Sequence, residues 1–67
     1  MFSYEPLLIT LVKKKKSLTQ LREGIKAGRN TIAKINKGEN ISMDTLNDIC
    51  NFLDCKIEDV IEHIKVE

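Results

Sequence analysis

The residues best suited to chemistry lie between positions 29 and 37, where polar and basic side chains recur at helical spacing and no acid occurs. If Ile32 and Ile35 point inward, a step of about 100° per residue places a polar face opposite them. That face consists of Asn30, Ala33, Lys34 and Lys37, with Arg29 and Thr31 on its flanks. Asparagine can pair with adenine, arginine with guanine and lysine with phosphate. The face therefore predicts contact with double-stranded DNA, although an ordinary polar surface helix has a similar composition.

Catalytic and metal chemistry have less support. The chain has one histidine, His63, with no serine or cysteine partner at a spacing typical of a nucleophilic site. Cys50 and Cys55 fit neither a disulfide framework nor a zinc site, so we expect two reduced and largely buried thiols. The acids after residue 43 suggest a solvated face. We therefore expect no enzyme, cofactor, metal or small-molecule ligand.

Length and composition indicate one globular domain spanning residues 1–67, with 42% apolar and 31% charged residues. No apolar run is long enough for a bilayer span. The lysines Lys13–Lys16 follow the apolar stretch 6–12, whereas the charges of a secretory signal precede it. The cytoplasm is therefore the expected location.

Charge is divided unevenly along the chain. Residues 1–40 carry nine basic groups against three acids, a balance of +6, and residues 41–67 carry two against seven, a balance of −5. Such a chain can turn one side toward a polyanion. The alternative is two solvated helix faces of opposite sign.

Helical periodicity recurs along the chain, and no strand-like alternation stands out. The pattern predicts an all-α, compact five-helix bundle. A first helix is expected over 5–15, where Leu7, Leu8, Leu11 and Val12 would form one apolar stripe. Ser17 and Gln20 have the spacing of a capping box for a second helix over 18–25.

A third helix is expected from Arg29 to Lys37, with Gly38 as its C-terminal stop. Ser42 is placed to cap a fourth helix, and a fifth is expected over 57–64. The inward positions of these last two helices recur at amphipathic spacing. They are Leu46, Ile49, Cys50 and Leu53 in the fourth helix and Ile57, Val60, Ile61 and Ile64 in the fifth.

The chain resembles the Cro/repressor-type (Xre-like) helix-turn-helix proteins, and in particular the small stand-alone transcriptional regulators. The resemblance runs from Tyr4 to Glu62. It rests on four segments in order: Ser17-x-x-x-Leu21-Arg22-Glu23, Asn30-Thr31-Ile32-Ala33-Lys34-Ile35, Lys37-Gly38-Glu39-Asn40-Ile41-Ser42, and Leu46-x-x-Ile49-Cys50-x-x-Leu53-Asp54-Cys55-x-Ile57-x-Asp59-Val60-Ile61-Glu62. It implies a λ-repressor-like bundle whose second and third helices form the reading unit, with residues 28–37 entering the major groove.

Site residues follow from the resemblance position by position. It implies base contacts from Arg29, Asn30, Thr31, Ala33 and Lys34. It implies phosphate contacts from Ser17, Lys37 and Asn40. Two positions depart from the family, because Lys26 replaces a usual glycine and Gly28 a usual serine or threonine. The turn could therefore be shifted, with Gly24 at the tight position and an earlier start of the third helix.

Repression is the usual outcome in the family that the chain resembles, with activation as the open alternative. A homodimer is expected when DNA is bound, since one module contacts few base pairs and two-fold pairing doubles the interface. Phe2, Phe52 and Val66 are the candidate exposed apolar groups for self-association. A protein-interaction module, antitoxin-like or anti-repressor, and a sequence-neutral DNA binder are the alternatives. Lys13–Lys16 either binds DNA backbone or serves as a solubilising segment.

Overall fold

A computed structural model describes residues 1–66 and shows a mostly helical chain closed by a short ribbon. Its elements, in chain order, are β1 (Phe2–Ser3), α1 (Glu5–Lys13), α2 (Leu18–Gly24), α3 (Arg29–Lys37), α4 (Met43–Leu53), a 3₁₀ turn (Ile57–Asp59) and β2 (Glu62–His63). The two strands pair antiparallel, with Phe2 opposite His63 and Ser3 opposite Glu62. No helix within this part of the chain is long and apolar enough to cross a membrane.

One apolar core joins the four helices to the C-terminal segment. Its buried residues are Tyr4, Leu7, Leu11, Leu21, Ile35, Leu46, Ile49, Leu53 and Val60. The amphipathic pattern predicted for α4 is confirmed, since three of its four inward residues are buried and Cys50 is half-buried against them. Burial of such side chains is the main term that holds a chain of this size together.

The N-terminal caps predicted from Ser17 and Ser42 are confirmed. The Gln20 amide donates to Ser17 Oγ at 3.1 Å, and the Ser17 amide donates to Gln20 Oε1 at 2.8 Å. Ser42 Oγ accepts from the Thr45 amide at 3.1 Å. Each hydroxyl thus satisfies an amide that the first turn of a helix leaves without a partner.

The C-terminal ends of the four α-helices share one geometry. In each, a residue with positive φ is followed by an amide that donates to the carbonyl five residues earlier, the bond that defines the Schellman motif. The positive-φ residues are Lys15, Lys26, Gly38 and Asp54. Only one of them is glycine, so the chain places L-residues in a backbone region that disfavours them.

The prediction of a five-helix bundle is wrong in its last element. Residues 57–64 form a single 3₁₀ turn and then β2, and the Ile64 amide donates to the Met1 carbonyl at 2.7 Å. The β-branched residues of this segment suit extended backbone, and the N-terminal residues supply pairing partners that a local pattern does not reveal. The C-terminal segment is instead fixed to α1, whose Leu7 amide donates to the Val60 carbonyl at 3.1 Å.

The predicted stripe on α1 is confirmed for Leu7 and Leu11 and wrong for Leu8 and Val12. Leu7 and Leu11 are buried, but Leu8 and Val12 are 47% and 77% exposed. The third buried residue of this helix is Thr10, whose hydroxyl donates to the Asp59 carbonyl at 2.7 Å. A threonine thus occupies the inward position between the two leucines because the 3₁₀ turn offers it an acceptor. The helix also ends at Lys13, two residues before the predicted end.

Two of the three groups proposed for self-association are exposed. Phe2 is exposed and packs edge-on against His63, with 5.3 Å between the ring centroids, and Val66 is also exposed. Phe52 is half-buried, and its ring lies against Gly24 and near the Lys16 ammonium. The expectation that Phe52 is a free surface group is therefore wrong.

Candidate nucleic-acid interface

The helix that precedes the turn is fixed at both ends. Ser17 and Gln20 begin α2 with their reciprocal bonds, and Leu21 buries its side chain fully in the core. At the other end, the Ala27 amide donates to the Arg22 carbonyl at 2.9 Å. A helix of seven residues has little stability alone, so α2 depends on these contacts. The bond from Ala27 to Arg22 also sets the direction in which the chain leaves α2.

The turn itself uses Lys26 as its positive-φ residue, with φ of 56°. Gly28 then adopts an extended conformation, with φ of −80° and ψ of 169°, as the N-cap of α3. The shifted turn that we considered, with Gly24 at the tight position, is therefore wrong, because Gly24 is the last residue of α2. The register of α3, from Arg29 to Lys37, is as predicted.

The side chains of α3 divide into an inner and an outer set. Ile35 is 4% exposed and Ile32 is half-buried against the core. The proposed reading residues lie on the remaining surface. Arg29, Asn30, Lys34 and Lys37 are exposed, whereas Thr31 and Ala33 are half-buried. One helix of nine residues thus presents two lysines, an arginine and an amide toward solvent, with a small residue, Ala33, among them.

The end of α3 is fixed from the far end of the chain. Gly38 closes the helix with φ of 74°, and the Glu39 amide donates to the Lys34 carbonyl at 2.8 Å. The Tyr4 hydroxyl donates to the Glu39 carbonyl at 2.6 Å. Burial raises the pKa of this phenol, and the backbone amide of Ile41 partly offsets that rise. Tyr4 therefore connects the start of α1 to the residue that follows the α3 cap.

A groove that was not predicted from the sequence lies between α2 and α3. It is lined by Leu18, Thr19, Arg22, Arg29, Ile32 and Asn36. Two arginines, one from each helix, thus border the same depression beside the proposed reading face. The signal was present in the spacing, because Leu18 and Arg22 are one helical turn apart on α2, and Arg29, Ile32 and Asn36 follow one face of α3.

The remaining proposed contacts lie at helix boundaries. Ser17 is exposed at the start of α2, and its oxygen already accepts the Gln20 amide. Asn40 is exposed in the segment after α3, where it lines a depression that also contains Tyr4 and Met43. Lys13–Lys16 are all exposed, and the Lys16 ammonium lies 5.8 Å from the centroid of the Phe52 ring.

The cysteines belong to the end of α4. Both are free and half-buried, and the Cys55 amide donates to the Cys50 carbonyl at 3.1 Å. Burial raises the pKa of the Cys55 thiol, and the neighbouring Cys50 and Asp59 raise it further. A protonated thiol is a poor nucleophile and metal ligand. Within residues 1–66, no three side chains of histidine, cysteine, aspartate or glutamate are grouped as metal ligands.

A capped short helix, a tight turn and a second short helix with an exposed basic face define the helix-turn-helix class of protein. Residues 7–65 match the family model of the Cro/C1-type HTH DNA-binding domain. This match covers most of the chain, so the chain belongs to that family.

Among solved structures, the fold is similar to the crystal structure of the transcriptional regulator VanUg (Form II). The TM-score is 0.88 with 36% sequence identity, over 91% of this chain and 81% of that chain. No protein among the curated sequences matches this chain.

Proposed function

We propose that the chain is a sequence-specific transcriptional regulator that inserts α3 into the major groove of DNA. The observation that supports this most directly is the exposed face of Arg29–Lys37, which contains no acid and whose N-cap, Gly28, makes no side-chain cap hydrogen bond. The N-terminus of such a helix is suited to a phosphate. Within this proposal Arg29, Asn30, Thr31, Ala33 and Lys34 face the bases. The arginine and asparagine have the bidentate geometry that distinguishes guanine and adenine.

Phosphate contacts are assigned to Ser17, Lys37 and Asn40. Ser17 is exposed at the start of α2, Lys37 at the end of α3 and Asn40 in the segment that follows α3. Such positions contact the two backbones that border the groove when the intervening helix enters it. Ser17 can donate its hydroxyl hydrogen to phosphate while its oxygen accepts the Gln20 amide.

Repression follows if the operator overlaps a promoter, since the bound protein then excludes polymerase. One helix reads only a few base pairs, so two copies related by a two-fold axis give a longer and palindromic site. The similar solved structure is of a transcriptional regulator, which supports this assignment without fixing the direction of regulation.

Selection from a randomised duplex pool tests the proposal. The wild type is expected to enrich a short motif, and an Asn30→Ala, Lys34→Ala double variant is expected to lose it. The matched control is Asn47→Ala, Lys56→Ala, which removes the same residue types at exposed positions outside α3. It should enrich the same motif as the wild type.

The other outcomes contradict the proposal in different ways. Equal enrichment by all three proteins would mean that α3 does not read the sequence. Binding without any enriched motif would indicate a sequence-neutral DNA binder. An absence of DNA binding by the wild type would favour a protein partner on the acidic side of α4 and the 3₁₀ turn.

The role of Lys13–Lys16 is tested with the enriched duplex. Lys14 is exposed just after α1, so Lys14→Ala removes one charge with little structural change. If Lys14 neutralises a phosphate, the slope of log affinity against log salt falls by about 1. An unchanged slope would assign the segment a solubilising role.

A further inference from the structure

Within residues 1–66, no other element covers the exposed side of α1. Leu8, Ile9 and Val12 are 47%, 50% and 77% exposed, and they line one shallow groove with Glu5 and Lys13. Leu8 also lines a second depression that includes Phe2 and Ile64 from the ribbon. The apolar surface therefore continues from the middle of α1 to the paired chain ends. Contiguous apolar surface of this kind on a small protein marks an interaction site.

Two opposite charges lie at equal spacing on either side of Ile9 on this surface. Glu5, Ile9 and Lys13 are spaced four residues apart and form one ridge along α1, with Ile9 at its centre. Leu8 and Val12 lie beside this ridge on the same exposed side. The ridge thus has an acid at one end, a base at the other and an apolar residue midway.

We propose that this surface binds a second copy of the chain through antiparallel packing of α1 against α1. Within one helix, Glu5 and Lys13 are about 12 Å apart along the axis, at about 1.5 Å per residue. A two-fold axis near Ile9 therefore brings Glu5 of each copy to Lys13 of the other. Ile9 then faces its own counterpart, and Leu8 lies near Val12 across the interface. The antiparallel arrangement also places opposite helix poles side by side.

The charge pattern selects this occupant over others. In parallel packing of two α1 helices, acids would face acids and bases would face bases, which destabilises the contact. In the antiparallel arrangement each Glu5 faces the Lys13 of the other copy, so both charges of each helix are paired. Because the contact centres on one helix of nine residues per copy, we expect it to be smaller than a standard interface of about 1,600 Å² and the dimer to be concentration-dependent.

The inference rests on the proposed function, since it names the surface through which two DNA-binding copies pair. It replaces Phe52 with α1 as the self-association surface and retains Phe2 at the margin. Adjacent half-sites on DNA would raise the effective concentration of the two copies and so favour a weak contact.

Sedimentation equilibrium from micromolar to millimolar protein tests the proposal. The wild type is expected to dimerise, and Ile9→Glu is expected to remain monomeric because two carboxylates would meet at the axis. Glu5→Lys and Lys13→Glu should each weaken the dimer by about tenfold, and the double charge exchange should restore it. Met43→Gln is the matched control, since Met43 is 80% exposed outside α1 and its replacement should leave the dimer intact.

The outcomes separate this inference from the proposed function. Ile9→Glu should bind a single half-site as the wild type does, and Asn30→Ala, Lys34→Ala should dimerise but lose DNA. Helical content by circular dichroism checks that each variant folds. A wild type that is monomeric throughout the range, or single charge reversals that the double exchange fails to rescue, would overturn the assignment of α1 even if DNA binding is intact.

Discussion

The Phe52 ring of α4 lies against the backbone of Gly24 in α2 so closely that a Cβ at residue 24 would overlap the ring. Glycine at this position weakens the helix, since alanine is favoured there by roughly 1 kcal/mol. The close approach explains its presence, because it brings the last turn of α2 against α4. Lys16 approaches the same ring from the segment between α1 and α2. The position of the last turn of α2 is thus fixed by the Phe52 ring, which belongs to α4.

Gly24→Ala is expected to destabilise the protein by about 1–3 kcal/mol, because the ring must move to admit the methyl group. Urea denaturation followed by circular dichroism measures the free energy of unfolding. In a Phe52→Leu background the same change should cost much less, which a double-mutant cycle would register as coupling between residues 24 and 52. A stabilising effect of Gly24→Ala in the wild-type background would contradict the packing described.

Lys26→Gly is expected to stabilise the protein by about 0.5–1 kcal/mol, because Lys26 has φ of 56°, a region that glycine adopts without a Cβ clash. Thermal or urea unfolding provides the measurement. Lys26→Ala is the matched control, since it removes the same charge and long side chain but keeps Cβ. Equal stability of the alanine and glycine variants would show that backbone strain at this turn is negligible.

The elements that could be predicted from the sequence are those determined by residues close to one another in the chain. The caps at Ser17 and Ser42, the bounds of α3 and the buried face of α4 each depend on residues within a few positions of one another. The helix stop at Gly38 was also visible, because glycine marks a positive φ. The corresponding stops at Lys15, Lys26 and Asp54 were not, since those residue types do not indicate that conformation.

The features that were missed depend on partners distant in sequence. Thr10 is buried because Asp59 supplies an acceptor, and residues 62–63 are extended because residues 2–3 pair with them. Periodicity alone placed Leu8 and Val12 on one apolar stripe with Leu7 and Leu11, and it predicted a helix over residues 57–64. The spacing within α2 and within α3 was visible in the sequence, but Arg22 and Asn36 line one groove only because the two helices pack together.

Tyr4 is expected to link alkaline pH to stability. Its burial raises the pKa of the phenol in the folded state above that of the unfolded chain. The stabilisation is therefore complete below the unfolded pKa and is lost as pH rises through the folded pKa. Because Tyr4 is the sole tyrosine, phenolate absorbance reports it alone and should appear at higher pH than in the urea-unfolded protein.

Tyr4→Phe isolates this contribution. It removes the hydrogen bond to the Glu39 carbonyl at a cost of about 0.5–1.5 kcal/mol at neutral pH, and it should reduce the loss of stability at alkaline pH. Part of that loss should persist, because the raised pKa of Cys55 acts in the same direction. Identical phenolate titrations of the folded and unfolded protein would refute the role assigned to burial.

The phosphate contact assigned to Lys37 is expected to make DNA binding depend on salt. Lys37 is exposed at the end of α3, and each lysine that neutralises a phosphate releases condensed counterions on binding. Lys37→Ala should therefore weaken binding to all duplexes by a similar factor and lower the salt slope by about 1, without changing the preferred motif.

Lys56→Ala is the matched control, because it removes the same charge at a residue that is exposed beside the acidic 3₁₀ turn. Fluorescence anisotropy titrations over a range of salt concentrations give both slopes. If the two variants have the same slope, the charge acts through the net field of the protein, and Lys37 does not contact phosphate.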